Sequence, residues 1–167
     1  MAEHMSRVTN LIATLPRTIT IAAIDGAAFG GGAELATCCD FRSAAIGGEV
    51  MFVQASMGVT TGWGGGRRLA AIVGRRRALR LLAFGERVGA AEGERMGLID
   101  FVAEEGEMAG DCAERLAAEG GAALNPVTKS WKRVVDGTVE EEVEVFAEHW
   151  NQEGHREAFR RAMEKKK

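Results

Sequence analysis

Gly30-Gly31-Gly32, with Glu34 two residues beyond, is the stretch of this chain best suited to chemistry. It follows a short apolar run, Ile19 to Ile24, and the turn pair Asp25-Gly26. Three glycines let a ligand approach a backbone N–H without obstruction by a side chain. At a helix start, the dipole makes such an N–H a better partner for developing negative charge. Glu34 lies one turn further in, where a carboxylate can act as general acid or base near the same ligand atom. The same pattern also describes a tight turn followed by ordinary dipole complementation, and pattern alone leaves both readings open. The spacing matches neither the dinucleotide fingerprint G-x-G-x-x-G nor the phosphate loop G-x-x-x-x-G-K-[ST].

Other candidates carry less. His4, His149 and His155 fall on helical segments without a nucleophile pattern beside them, which favours surface or helix-packing roles. Cys38, Cys39 and Cys112 have no metal-ligand spacing. Cys38 and Cys39 are expected to pack inside. Trp63 is either a pocket wall or core. Arg67 and Arg68 are assigned no role. Arg75-Arg76-Arg77 and Lys165-Lys166-Lys167 are either solvated runs or contacts for an anionic ligand or partner.

The elements that must position these residues can be read from periodicity. Met1, Met5, Val8, Ile12 and Leu15 form a helical stripe stopped by Pro16. Ile19–Ile24 reads as a buried strand, and Ala33–Thr37 as helix. Phe41–Ala44 and Val50–Val53 read as strands, separated by the Gly47-Gly48 turn. A glycine-dense loop spans Gly58–Gly66. Arg67–Phe84 is helical with a break at Gly74, Ala90–Met96 is a short helix, and Leu98–Val102 is a strand. The last third is helical, with Asn125-Pro126 as a start signal and Thr138/Glu141 as a capping box. Val139, Val143, Phe146 and Trp150, then Phe159 and Met163, form apolar stripes expected to be core or subunit interface.

The 167 residues fit one ordinary domain, and 46% apolar with 27% charged residues is the balance of a globular protein. A net charge of −3 argues against a general nucleic-acid binder. No apolar stretch reaches the roughly 18 residues of a membrane span, and the first residues lack a signal or transit pattern. The odd cysteine count points to a reducing compartment. By elimination the expected location is cytoplasmic.

Gly26 to Leu35, then Cys39-Asp40-Phe41-Arg42, resembles the signature of the enoyl-CoA hydratase/isomerase (crotonase) superfamily. So do Phe52-Val53 with Met57-Gly58, Trp63-Gly64-Gly65, Arg68-Leu69, Gly74 with Ala78-Leu79, Ala90-Ala91-Glu92 and Gly97-Leu98-Ile99. The resemblance implies an α/β fold, a crotonase-like ββα spiral incomplete at the N-terminus, with a helical C-terminal region. It divides the chain into a partial spiral core at 1–106 and a helical oligomerisation region at 107–167. It implies that Gly31 supplies an oxyanion-hole N–H and that Glu34 is a catalytic glutamate, with Gly30, Gly31 and Trp63 binding substrate.

The position of a second family glutamate is Ser56 here, which disfavours ordinary hydration. The spacing most resembles decarboxylases of malonyl-type CoA thioesters. The implied function is decarboxylation of ethylmalonyl- or methylmalonyl-CoA through an enolate. The alternatives are enoyl-CoA hydratase/isomerase activity, or a non-catalytic acyl-CoA-binding or assembly subunit. Family members carry an earlier segment with another oxyanion donor, which has no counterpart in this sequence. The implied partners are an acyl-CoA thioester and further copies in a trimer or hexamer, without nucleic acid or membrane. No metal or cofactor is implied beyond the coenzyme A of the substrate.

Overall fold

The computed structural model describes residues 2–16, 18–119 and 126–164. They fall into two compact units, Met1–Leu15 with Ile19–Gly120, and Pro16–Thr18 with Gly121–Lys167. The expected division after residue 106 falls ahead of helix α6 (Ala109–Glu119), which packs on strands of the first unit.

In the first unit, helix α1 (Ala2–Ala13) precedes β1 (Ile21–Ile24) and β2 (Ala27–Phe29). The Asp25-Gly26 turn sends these two consecutive strands into different sheets. After α2 (Gly31–Ala36), the chain repeats the manoeuvre with β3 (Phe41–Ala44) and β4 (Glu49–Met51). β3 pairs parallel to β1 with Ile21 opposite Phe41, and β4 pairs parallel to β2 with Ala27 opposite Glu49. A 3₁₀ turn at Gln54–Met57 leads to α3 (Gly65–Val73) and α4 (Arg75–Phe84), then β5 (Val88–Gly89), α5 (Ala90–Met96) and β6 (Phe101–Val102). β6 adds parallel to β3, and β5 adds antiparallel to β4. The result is a spiral of ββα turns with one strand delivered to each sheet per turn. Within the described residues β1 and β6 are the outer strands of one sheet, and β2 and β5 of the other.

Phe52, Leu69 and Leu98 are completely enclosed in the core, with Ile24, Val50, Val73, Leu81, Val88 and Ile99 around them. Each such side chain contributes about 1.5–3 kcal/mol by leaving water. Arg42 is buried in the same layer, and four acceptors make that tolerable. Its guanidinium donates to Asp100 Oδ2 at 2.6 Å, Leu98 O at 2.7 Å, Cys39 O at 3.0 Å and Asp40 O at 3.4 Å. Asp25 Oδ1 accepts from the Ala109 N–H at 2.6 Å, fixing the start of α6 over the first sheet.

Three local expectations change. β4 ends at Met51, because the chain turns into the 3₁₀ segment rather than extending to Val53. Leu98 and Ile99 are buried but not strand, since both N–H groups turn back to donate to Gly93 O within α5. β2 and β5, three and two residues long, leave no alternation to read.

The second unit holds α7 (Pro126–Asp136), α8 (Val139–His149) and α9 (Glu153–Glu164). α7 and α8 are joined by Ser130 Oγ to His149 Nε2 at 2.9 Å and by Arg133 to Glu148 at 3.1 Å. The Thr138/Glu141 capping box forms at the start of α8. Val139, Val143, Phe146, Trp150, Phe159 and Met163 are all more than half exposed, so the stripes are not core of this unit. Trp131, Phe146, His149, Trp150 and His155 border a hollow of about 760 Å³. Met1, Asn125 and Lys165-Lys166-Lys167 lie outside the described residues.

Candidate active site

The site is built where α2 meets the loop entering α3. Gly30 caps α2 with φ 54° and ψ −110°, a conformation that calls for glycine. Its N–H donates to Met51 O at 2.9 Å and its carbonyl accepts from Glu34 N at 3.0 Å. Gly30 therefore has no amide proton to offer a ligand, and its contribution is the turn itself. Gly31 is the first residue of α2, and among the described residues no acceptor takes its N–H. The Trp63 indole lies against it: a Cβ at Gly31 would come within 2.5 Å of Trp63 Cη2.

Glu34 is 3% exposed, and both carboxylate oxygens are held. Oε1 accepts from Gln54 Nε2 at 3.0 Å and from Gly62 N at 3.2 Å. Oε2 accepts from Trp63 N at 2.8 Å and from Gly65 N at 3.1 Å. Four N–H donors offset the cost of burying a carboxylate, which would otherwise be prohibitive. A side chain at Gly65 would place its Cβ 2.5 Å from Glu34 Cγ, so this approach needs glycine.

The loop is fastened from two further directions. Arg68 Nη2 donates to Trp63 O at 2.8 Å and to Glu34 O at 3.3 Å, while Thr9 Oγ1 donates to Trp63 O at 2.7 Å. Thr37 Oγ1 donates to Glu34 O at 2.7 Å, and Cys38 Sγ to the same oxygen at 3.4 Å. Burial pushes the Cys38 thiol above its ordinary range, against the opposing pull of Arg68.

Gly31, Glu34 and Trp63 are thus brought together, with Gly30 as the hinge behind them. Ser56 stays apart: it is exposed, and its hydroxyl donates to Val53 O at 2.7 Å. A hollow of about 390 Å³ opens on the other side of α2, lined by residues 22–28 with Gly32, Leu35, Ala36 and Cys39. Neither Glu34 nor Trp63 borders it.

Sequence reasoning missed Gln54 and left Arg68 unassigned. Gln54 is buried, with its Oε1 unpartnered. Its one signal was a polar amide two residues after Phe52, directly past the Val50–Val53 run that read as strand. His149 and His155 have the packing roles expected: His149 meets Ser130, while His155 Nδ1 accepts from Asn151 N at 3.0 Å and its ring lies tilted against Trp150.

The family model for enoyl-CoA hydratase/isomerase matches residues 2–167. The chain belongs to that family. The chain is 43% identical over 102 residues to ethylmalonyl-CoA decarboxylase of Danio rerio, covering 61% of itself and 33% of that protein. It is 34% identical over 171 residues to ethylmalonyl-CoA decarboxylase of Gallus gallus, covering 96% of itself and 57% of that protein. Its fold is that of the solved enoyl-CoA hydratase from Bacillus anthracis, with a TM-score of 0.85 at 26% identity, over 98% of this chain and 66% of that one. The chain thus spans about a third to somewhat over half of these curated relatives. The crotonase-type ββα fold expected from the sequence is the fold observed.

Proposed function

We propose that this chain performs acyl-CoA lyase chemistry, decarboxylating a short malonyl-type thioester such as ethylmalonyl- or methylmalonyl-CoA. The observation that carries the reading is the Gly31 N–H, which has no acceptor among the described residues and stands beside the Trp63 ring. In the proposed reaction the bond from Cα to the carboxylate breaks and carbon dioxide leaves. The electron pair passes into the thioester as an enolate. A proton then adds to Cα. The Gly31 N–H would hold the thioester oxygen, where charge grows most in the transition state. Trp63 would wall the acyl group.

Glu34 is the proposed proton carrier. Its oxygens each accept two N–H bonds, so a proton arriving there displaces one donor. The 3.2 Å bond from Gly62 is the longest of the four. Because the electron pair moves within the substrate, the proposed step calls on no metal or redox partner.

Ser56 supports decarboxylation over hydration. Water addition uses two carboxylates in the hydratase pattern, and this hydroxyl is instead bound to Val53 O on the surface. The proposed assembly is a homo-oligomer, trimer or hexamer, supported by the exposed apolar stripes of α8 and α9. The proposed setting is cytoplasmic.

The test compares turnover of ethylmalonyl-CoA and crotonyl-CoA by the purified chain and by its Glu34→Gln variant. Release of carbon dioxide that depends on Glu34, with little hydration of crotonyl-CoA, is the expected result. Hydration at a comparable rate would reject the decarboxylase assignment. Tight thioester binding without turnover in either protein would leave a binding subunit instead.

A further inference from the structure

Helix α4 carries a feature that the proposed site does not use. Its exposed residues are Arg75, Arg76, Arg77, Leu79, Arg80, Ala83 and Phe84, while Ala78 and Leu81 are buried. At 100° per residue the exposed set is one continuous face about half the helix circumference wide. Four arginines stand on it, and α4 contains no acidic residue. Three of them occupy the first turn, where the helix dipole disfavours positive charge and acids are usual. Arg80 has a partner in Glu86 at 2.9 Å, and Arg77 reaches Met96 O at 3.4 Å. Among the described residues Arg75 and Arg76 have no ion-pair partner.

The face is not only charged. Phe84 is 76% exposed and Leu79 is 49% exposed, both on this side of α4. The adjoining 3₁₀ turn, which packs against α4, leaves Met57 70% exposed. A helix-long strip of arginines interleaved with large apolar side chains is the composition of a surface that lies on lipid.

We propose that the α4 face, Arg75, Arg76, Arg77 and Arg80 with Leu79 and Phe84, docks this protein on an anionic lipid surface. The arginines meet headgroup phosphates while Leu79, Phe84 and Met57 enter the boundary with the acyl chains. This is peripheral attachment: among the described residues no helix is long and apolar enough to cross a membrane. A soluble phosphate ligand would answer the guanidinium groups and leave Leu79, Phe84 and Met57 unexplained. A nucleic acid would find a single ten-residue helix, a short footprint for a long polyanion.

Vesicle co-sedimentation of the full chain tests this. The lipids are phosphatidylcholine alone and phosphatidylcholine mixed with phosphatidylglycerol, with a single-stranded RNA oligonucleotide as a separate binding arm. Binding is expected only with the anionic lipid, weakening as salt rises. Arg75→Gln and Arg76→Gln should each lower partitioning roughly fivefold, and Phe84→Ser by roughly tenfold at high salt. All three positions are exposed, so circular dichroism should show unchanged folding. Equal binding to neutral vesicles, unaltered partitioning of the arginine variants, or tighter binding to RNA than to anionic vesicles would overturn the proposal.

Discussion

The Gly31 α-carbon and the Trp63 ring leave no room for a methyl group between them. Gly31→Ala must therefore push the indole away or rotate the first turn of α2. Either movement shifts the amide that the proposed reaction relies on. We expect kcat for decarboxylation to fall roughly a hundredfold, with binding of the CoA portion less affected. Glu34→Gln has a second consequence at the same scale. The amide turns an NH₂ toward groups that are themselves donors, leaving buried N–H groups unmatched at about 1–3 kcal/mol. A lowered melting temperature alongside lost turnover is the expected outcome. Unchanged melting would show that the four bonds to this carboxylate contribute little to stability. Cys38 offers an independent check on burial: its raised thiol pKa and enclosure predict alkylation much slower than at half-buried Cys39. Mass spectrometry of the labelled peptides reads the difference.

At the scale of elements, the sequence was most informative where a residue type has one local use. The Thr138/Glu141 capping box is local by nature, and it forms as read. Thr138→Ala should destabilise α8 by about 1 kcal/mol, measurable by denaturant melting. β3 and α5 occupy the positions that their patterns predict. β2 and β5, of three and two residues, were not legible, because they are defined by a distant partner rather than by their own alternation. The site divides the same way. The glycines and Glu34 were legible as a motif, but the partners of that carboxylate were not. Three of its four donors are main-chain N–H groups at Gly62, Trp63 and Gly65, and a backbone amide carries no sequence signal. Gln54 reaches Glu34 Oε1 from a 3₁₀ turn just past the run read as strand, in a segment assigned no element, so its inward direction could not be anticipated.

At the scale of the whole molecule, stability depends on joining residues far apart in the chain. Asp100 holds both the Arg42 guanidinium and the Arg42 N–H. Asp100→Asn leaves the buried cation without its anion, and we expect a loss of about 3–5 kcal/mol. A denaturation midpoint close to that of the parent chain would contradict this.

The same pairing constrains the order of events during synthesis. A ribosome that has delivered β1 to β4 has placed a guanidinium in the centre of an unfinished sheet, with its counter-charge still dozens of codons away. Asp25 likewise waits for the amide of Ala109. The nascent chain is therefore expected to stay protease-sensitive until residues 98–109 have emerged, and then to become resistant in a single step.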